Sequence, residues 1–134
     1  SPERCRQLRE VLGPGIGLWK ALRIRSRDDL EQAAAYAPVV DALLLDAWVP
    51  DQLGGTGHRI PIEWLSGFQP PLPWWLAGGI RADRVAPAME ALAAAPPAGL
   101  DASSGVERAP GDKDLDRVAA LVAAVAAVRQ DRPS

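Results

Sequence analysis

Four short apolar runs, each followed by a stretch of helical periodicity, recur along this chain at a spacing of about 25 to 30 residues. That alternation restricts the fold more than any other feature. The runs are GLWKALRI (17–24), DALLLD (41–46), PWWLA (73–77) and GLDA (99–102). A strand buried on both faces reads as a continuous apolar run, and strand–helix alternation at this spacing implies parallel β/α units. Both a doubly wound sheet and part of a barrel satisfy the pattern.

The helices are marked by their ends. Pro2 to Leu12 carries Cys5, Leu8, Val11 and Leu12 at helical spacing and stops at Gly13-Pro14-Gly15. Ser26 is an N-cap with Asp28 and Asp29 in the first turn of a helix reaching about Tyr36. A short helix is expected over 62–67, another over about 82–94, and a long last one over 114–128 with Leu115, Val118, Leu121, Val122 and Val125 apolar. Five helices and four strands are predicted, all within one domain, since 134 residues with 48% hydrophobic content can build one core and no more.

Composition excludes several classes. A net charge of −2 suits neither nucleic acid nor an anionic membrane. The longest apolar run, Val118 to Val128, is too short to span a bilayer. One cysteine cannot close an internal disulfide, so a cytoplasmic location is expected, with Cys5 packed into the core from its helix. One histidine and one cysteine support no metal site. Gly13, Gly15 and Gly17 do not make a dinucleotide-binding turn, and 105–113 does not make a P-loop. Trp74 and Trp75, adjacent in a strand, should place one ring on each face.

The unusual residues cluster just after strand ends, where α/β folds keep their ligand sites. Asp46 closes an apolar strand as either a loop cap or a general acid of raised pKa. Gly78-Gly79 follows the third strand and Asp101-Ala102-Ser103-Ser104-Gly105 the fourth. Consecutive N–H groups in such turns, next to helix N-termini, can cradle a phosphate, with Val106 to Pro110 as an extra turn; ordinary turns are the competing reading. Gly54, Gly55, Thr56 and Gly57 suggest a loop able to close over a ligand, or a solvated linker.

WKALRI (19–24), ALLLDAWVPDQLGGTGHRIPIEWL (42–65), LAGGIRADRV (76–85) and GLDASSGVERAPGDKDLDRV (99–118) closely resemble, in order and spacing, the C-terminal part of the phosphoribosylanthranilate isomerase family. The resemblance implies the C-terminal portion, about strands five to eight, of a (β/α)8 TIM barrel, one partial domain over 1–134 that starts in the helix before the fifth strand. It also implies an Amadori rearrangement of N-(5-phosphoribosyl)anthranilate in tryptophan biosynthesis, without a cofactor. By similarity Asp46 is the general acid. Gly78, Gly79, Ser103 and Ser104 hold the substrate phosphate, Gly105 permits the turn, Asp101 faces the ribose hydroxyls, and the loop at Gly54 to Gly57 covers the substrate.

The family's catalytic cysteine, the base that follows its first strand, has no counterpart here, because Cys5 lies in a helix. An isolated chain is therefore expected to be inactive: these residues are expected first of all to be part of a longer sequence, and otherwise a half-barrel that pairs with a separately made N-terminal half or with a second copy of itself. A phosphate-binding half-barrel without turnover is the alternative. Indole-glycerol-phosphate synthase is a rival within enzymes, but it calls for lysines and glutamates at strand ends, where only Lys20 is a candidate.

Overall fold

The computed structural model describes residues 1–48 and 58–131. The elements run α1 (Pro2–Leu12), β1 (Trp19–Ile24), a 3-10 turn (Arg27–Glu31), α2 (Gln32–Tyr36), β2 (Ala42–Ala47), α3 (Ile62–Leu65) and β3 (Trp74–Ala77). Then follow α4 (Ala82–Ala91), β4 (Gly99–Asp101), a second 3-10 turn (Ser104–Val106), a hairpin of β5 (Glu107–Ala109) and β6 (Asp112–Lys113), and α5 (Leu115–Gln130).

Strands β1 to β4 form one parallel sheet in sequential order. A doubly wound sheet needs a reversal of strand order with helices on both faces. Here the order never reverses, and the buried side chains of α1, α2 and α3 join a core built on one face. This is the barrel-type arrangement.

The covered face carries Leu22 and Ile24 from β1, Leu43 and Leu45 from β2, and Trp74 and Leu76 from β3, which pack with Cys5, Tyr36, Leu65 and Leu92. Leu43 and Leu45 are fully buried. Truncating either to alanine should cost about 2–5 kcal/mol. Trp74 meets Phe68 edge to face at 5.3 Å.

The other face differs from the sequence expectation of strands buried on both sides. It presents Trp19, Ala21 and Arg23 from β1, Leu44 and Asp46 from β2, Trp75 from β3 and Asp101 from β4, none of which is buried, and on this face only the small Ala42 and Ala77 are. The cause is topological: every described helix that contributes to the core lies on the far side. Trp75 does point opposite to Trp74, as expected, and its ring folds over Gly99, where a Cβ would collide with it. Trp19, 51% exposed, packs against Trp75 with centroids 5.2 Å apart. Among the described residues β1 and β4 have a neighbour on one side only.

Local chemistry explains the ends. The Ser1 hydroxyl accepts the Arg4 N–H at the start of α1, Pro2 opens it, and Gly13 at φ 73 ends it. Only Cys5 of its apolar positions is buried, while Val11 is 84% exposed. The expected helix after Ser26 is half 3-10, because the Asp29 carboxylate turns back to accept the Arg25 and Ser26 N–H groups at 2.7 and 3.1 Å. The expected turn over 106–110 is corrected: the 3-10 turn sits at Ser104–Val106, and Glu107 begins a hairpin. Gly111, at φ 82, makes that reversal, and its N–H donates to the Glu107 carboxylate.

Asp41 lies just before β2 and ties three elements together. Its carboxylate accepts the Leu18 N–H at 2.6 Å and the Arg9 guanidinium, while its own N–H donates to the Leu18 carbonyl at 2.7 Å. No helix among the described residues is long and apolar enough to cross a membrane.

Candidate functional site

In a parallel sheet every strand ends on the same side, so residues following β2, β3 and β4 must converge. They do. A cleft of about 1140 Å³ opens at the C-terminal ends of the strands and is lined by Asp46, Gly78, Gly79, Asp101, Ser103, Ser104 and Gly105 together. These are seven of the residues singled out from sequence. The other four, Gly54 to Gly57, lie outside the described residues.

Asp46 stands on β2 one residue before its end, in register with Arg23 of β1. The carboxylate is partly buried, and loss of hydration pushes its pKa above the usual value of 3.8. The Ala47 backbone N–H, the Arg23 charge and the Asp101 charge modify that shift, the first two downward and the last upward. A carboxyl group held protonated beyond its ordinary range, at the mouth of a cleft, is suited to give up a proton.

Gly78 and Gly79 turn the chain at φ 91 and 66, conformations that L side chains rarely adopt. The turn leads into α4, whose N-terminus, with Ala82 and Asp83, borders the cleft and offers the positive end of its dipole to an anion. The Arg84 guanidinium holds the Gly79 carbonyl at 2.9 Å. Gly105 has another reason to be glycine: a Cβ there would collide with the Ile80 carbonyl oxygen, so the turns after β3 and β4 touch backbone to backbone. Lys113 donates to the Ser103 carbonyl at 3.2 Å, and the Asp114 N–H to that of Val106 at 2.8 Å, fixing the second turn to the start of α5.

Sequence reasoning missed the cations. Arg23, Arg81, Arg108, Lys113 and Arg117 line the cleft, as does His58. Arg81, Arg108, Lys113 and Arg117 are each paired with an acid, Asp83 at 3.0 Å, Asp112 at 3.4 Å, Glu107 at 3.5 Å and Asp114 at 3.5 Å. The alternation of β1 could have flagged Arg23, since it shares a face with Trp19 and Ala21. Lys20, the one lysine that a synthase reading offered, does not line the cleft; it points to the helix side, 5.1 Å above the Tyr36 ring. Cys5 is buried in α1 and is likewise absent from the cleft wall.

The arrangement can therefore present a proton to one end of a ligand and backbone donors to an anion at the other. The sequence pattern of the family described as N-(5'phosphoribosyl)anthranilate (PRA) isomerase matches residues 3–124. N-(5'-phosphoribosyl)anthranilate isomerase of Microcystis aeruginosa is 52% identical over 122 residues, 91% of this chain and 56% of that protein. The chain spans about half the length of the curated relatives it matches. The crystal structure of phosphoribosyl anthranilate isomerase from Thermotoga maritima superposes with a TM-score of 0.76 at 27% identity, over 95% of this chain and 58% of that one. A phosphoribosyl anthranilate isomerase in complex with reduced 1-(o-carboxyphenylamino)-1-deoxyribulose 5-phosphate superposes at 0.70 and 25% identity, over 95% and 55%.

Proposed function

The chain belongs to the N-(5'-phosphoribosyl)anthranilate isomerase family, and from that premise we propose that it supplies the general acid and the phosphate cradle of the isomerase of tryptophan biosynthesis. The single observation that carries this is the convergence of Asp46 with the turns at Gly78-Gly79 and Ser103 to Gly105 on one cleft.

The Asp46 carboxyl delivers its proton to the furanose ring oxygen as the bond from that oxygen to C1 breaks. The nitrogen lone pair then forms the C1=N bond of an open-chain iminium. Loss of the C2 proton to a base gives the enamine-enol, and tautomerisation places the carbonyl at C2, completing an Amadori rearrangement that consumes no cofactor. The substrate phosphate sits against Gly78, Gly79, Ser103 and Ser104, with the α4 dipole behind it. Asp101, in register with Ala77 on the same face as Asp46, meets the sugar hydroxyls.

Cys5, buried in a helix, is not the base for C2. We place that base on strands that close the barrel: a second four-stranded half seated on β1, β4 and the open face, leaving this chain alone without turnover. Sequential strand order, edge strands β1 and β4 that have one neighbour each among the described residues, and relatives of which this chain covers about half support that reading.

The test is fluorescence-monitored turnover of phosphoribosylanthranilate by this chain, alone and after addition of a family N-terminal half. Turnover that appears on mixing and is lost in Asp46→Asn is the expected result. Turnover by the chain alone overturns the half-barrel reading, and undiminished turnover in Asp46→Asn overturns the acid.

A further inference from the structure

The β1–β2 register sets Arg23 directly beside Asp46, on the face that forms the cleft floor. Adjacent strands lie about 4.8 Å apart, so the two residues are neighbours in one cross-strand row, whereas Asp101 stands two strands beyond Asp46, about 10 Å away. β3 and the turn after it contribute Ala77 and Gly78 to this part of the wall, neither of them charged. The titratable and charged groups facing Asp46 are therefore Arg23 from β1, Asp101 from β4 and His58 from the segment before α3.

Arg23 also differs from the other cleft cations in its engagement. Those on the far wall are each held by a carboxylate within 3.5 Å. Among the described residues Arg23 is in no ion pair, and the acidic group in register with it is Asp46. A partly buried carboxyl that has given up its proton leaves an anion poor in hydration, and a cation fixed in the next strand is what stabilises it. Because Arg23 projects from a strand and not a loop, its backbone position is set by the sheet.

We propose that Arg23 is the positioning residue for Asp46, holding in place the carboxylate that remains when the proton has passed to the sugar. This rests on the reading of Asp46 as the general acid. Arg23 pulls the Asp46 pKa down against the upward push of burial and of Asp101. Removing its charge must therefore raise that pKa further, and neutralising Asp101 must lower it.

The experiment compares Arg23→Met, Arg23→Lys and Asp101→Asn in the full chain by two readouts. The first is direct titration of the Asp46 carboxyl carbon by NMR, assigned with Asp46→Asn, which needs no turnover. The second is the pH profile of kcat/KM in the assembly that turns over phosphoribosylanthranilate. Arg23→Met should move both the carboxyl titration and the alkaline limb to higher pH, with kcat down roughly tenfold, a fraction of the 10²–10⁴ that a general acid supplies. Arg23→Lys should restore both, and Asp101→Asn should move the titration the other way. An Asp46 titration unmoved in Arg23→Met, or moved as far in Arg23→Lys, overturns the proposal. Shifted titrations in a protein that never turns over keep the coupling and overturn the isomerase reading instead.

Discussion

Gly78 lies against the carboxylate of Asp46: a Cβ built on the glycine would sit 3.2 Å from Oδ1 and 3.0 Å from the Ala47 Cβ. The same glycine has φ 91. Gly78→Ala should therefore destabilise the protein by on the order of 1–2 kcal/mol through backbone strain. It should also press on the acid, lowering kcat more than it raises KM. Chemical denaturation of the chain and steady-state kinetics after addition of an N-terminal half check the two parts, and an unchanged kcat would show that the carboxylate is not displaced.

Asp46 should be a liability to stability. Its folded pKa is raised above the unfolded value of 3.8, so between the two the native state binds more protons than the unfolded one, and stability falls as pH rises through that window. Asp46→Asn should melt higher than the parent at pH 7 and equal to it well below pH 3.8, while the assembly with an N-terminal half loses about 10²–10⁴-fold in rate. Thermal melts across pH 3 to 8 decide it.

Asp41 has the opposite sign. The Leu18 N–H first, and then Arg9, hold its carboxyl below 3.8, so its stabilisation is present above that value and lost as pH falls through the folded pKa. Asp41→Asn should lower the melting temperature at pH 7, and the difference should disappear in strong acid. A difference that persists there would assign the effect to packing and not to charge.

Trp19 tests the proposed closure of the barrel. It is 51% exposed on the open face, leaving roughly 100 Å² of ring for a second half to cover, about 2 kcal/mol of association free energy. Mixing with an N-terminal half should shift tryptophan emission to the blue, and Trp19→Ala should weaken association by roughly thirtyfold in a fluorescence titration. An affinity indifferent to Trp19 would mean that the open face is not the contact.

Much of the fold is legible because it rests on local signals. Pro2 at the first helical position and Gly13 past the last bound α1 as expected, and the four apolar runs became the four sheet strands. Asp46 and the glycine turns converge as their strand-end positions implied, since parallel strands leave no other choice. For Arg23 only its face was legible, from the alternation that groups it with Trp19 and Ala21; its place beside Asp46 was not, because strand register is a tertiary property. The periodicity alone left barrel against doubly wound sheet open, since strand order is a tertiary property, and only the family resemblance pointed to the barrel. The hairpin at Glu107 to Lys113 has strands of three and two residues, too short for any periodicity to show. The expected apolar stripe of α5 packs less than its spacing suggests: none of its residues is buried, and Leu115 and Val122 face solvent.

The contact of Gly105 with the Ile80 carbonyl makes the turns after β3 and β4 a single rigid mould. Such a mould is set when the chain folds, so the phosphate proposed to sit there would not have to freeze two loops, and the ordering penalty that usually weakens anion capture by flexible turns would already be met. Capture should then be governed by desolvation of the anion, with little entropic loss from the protein.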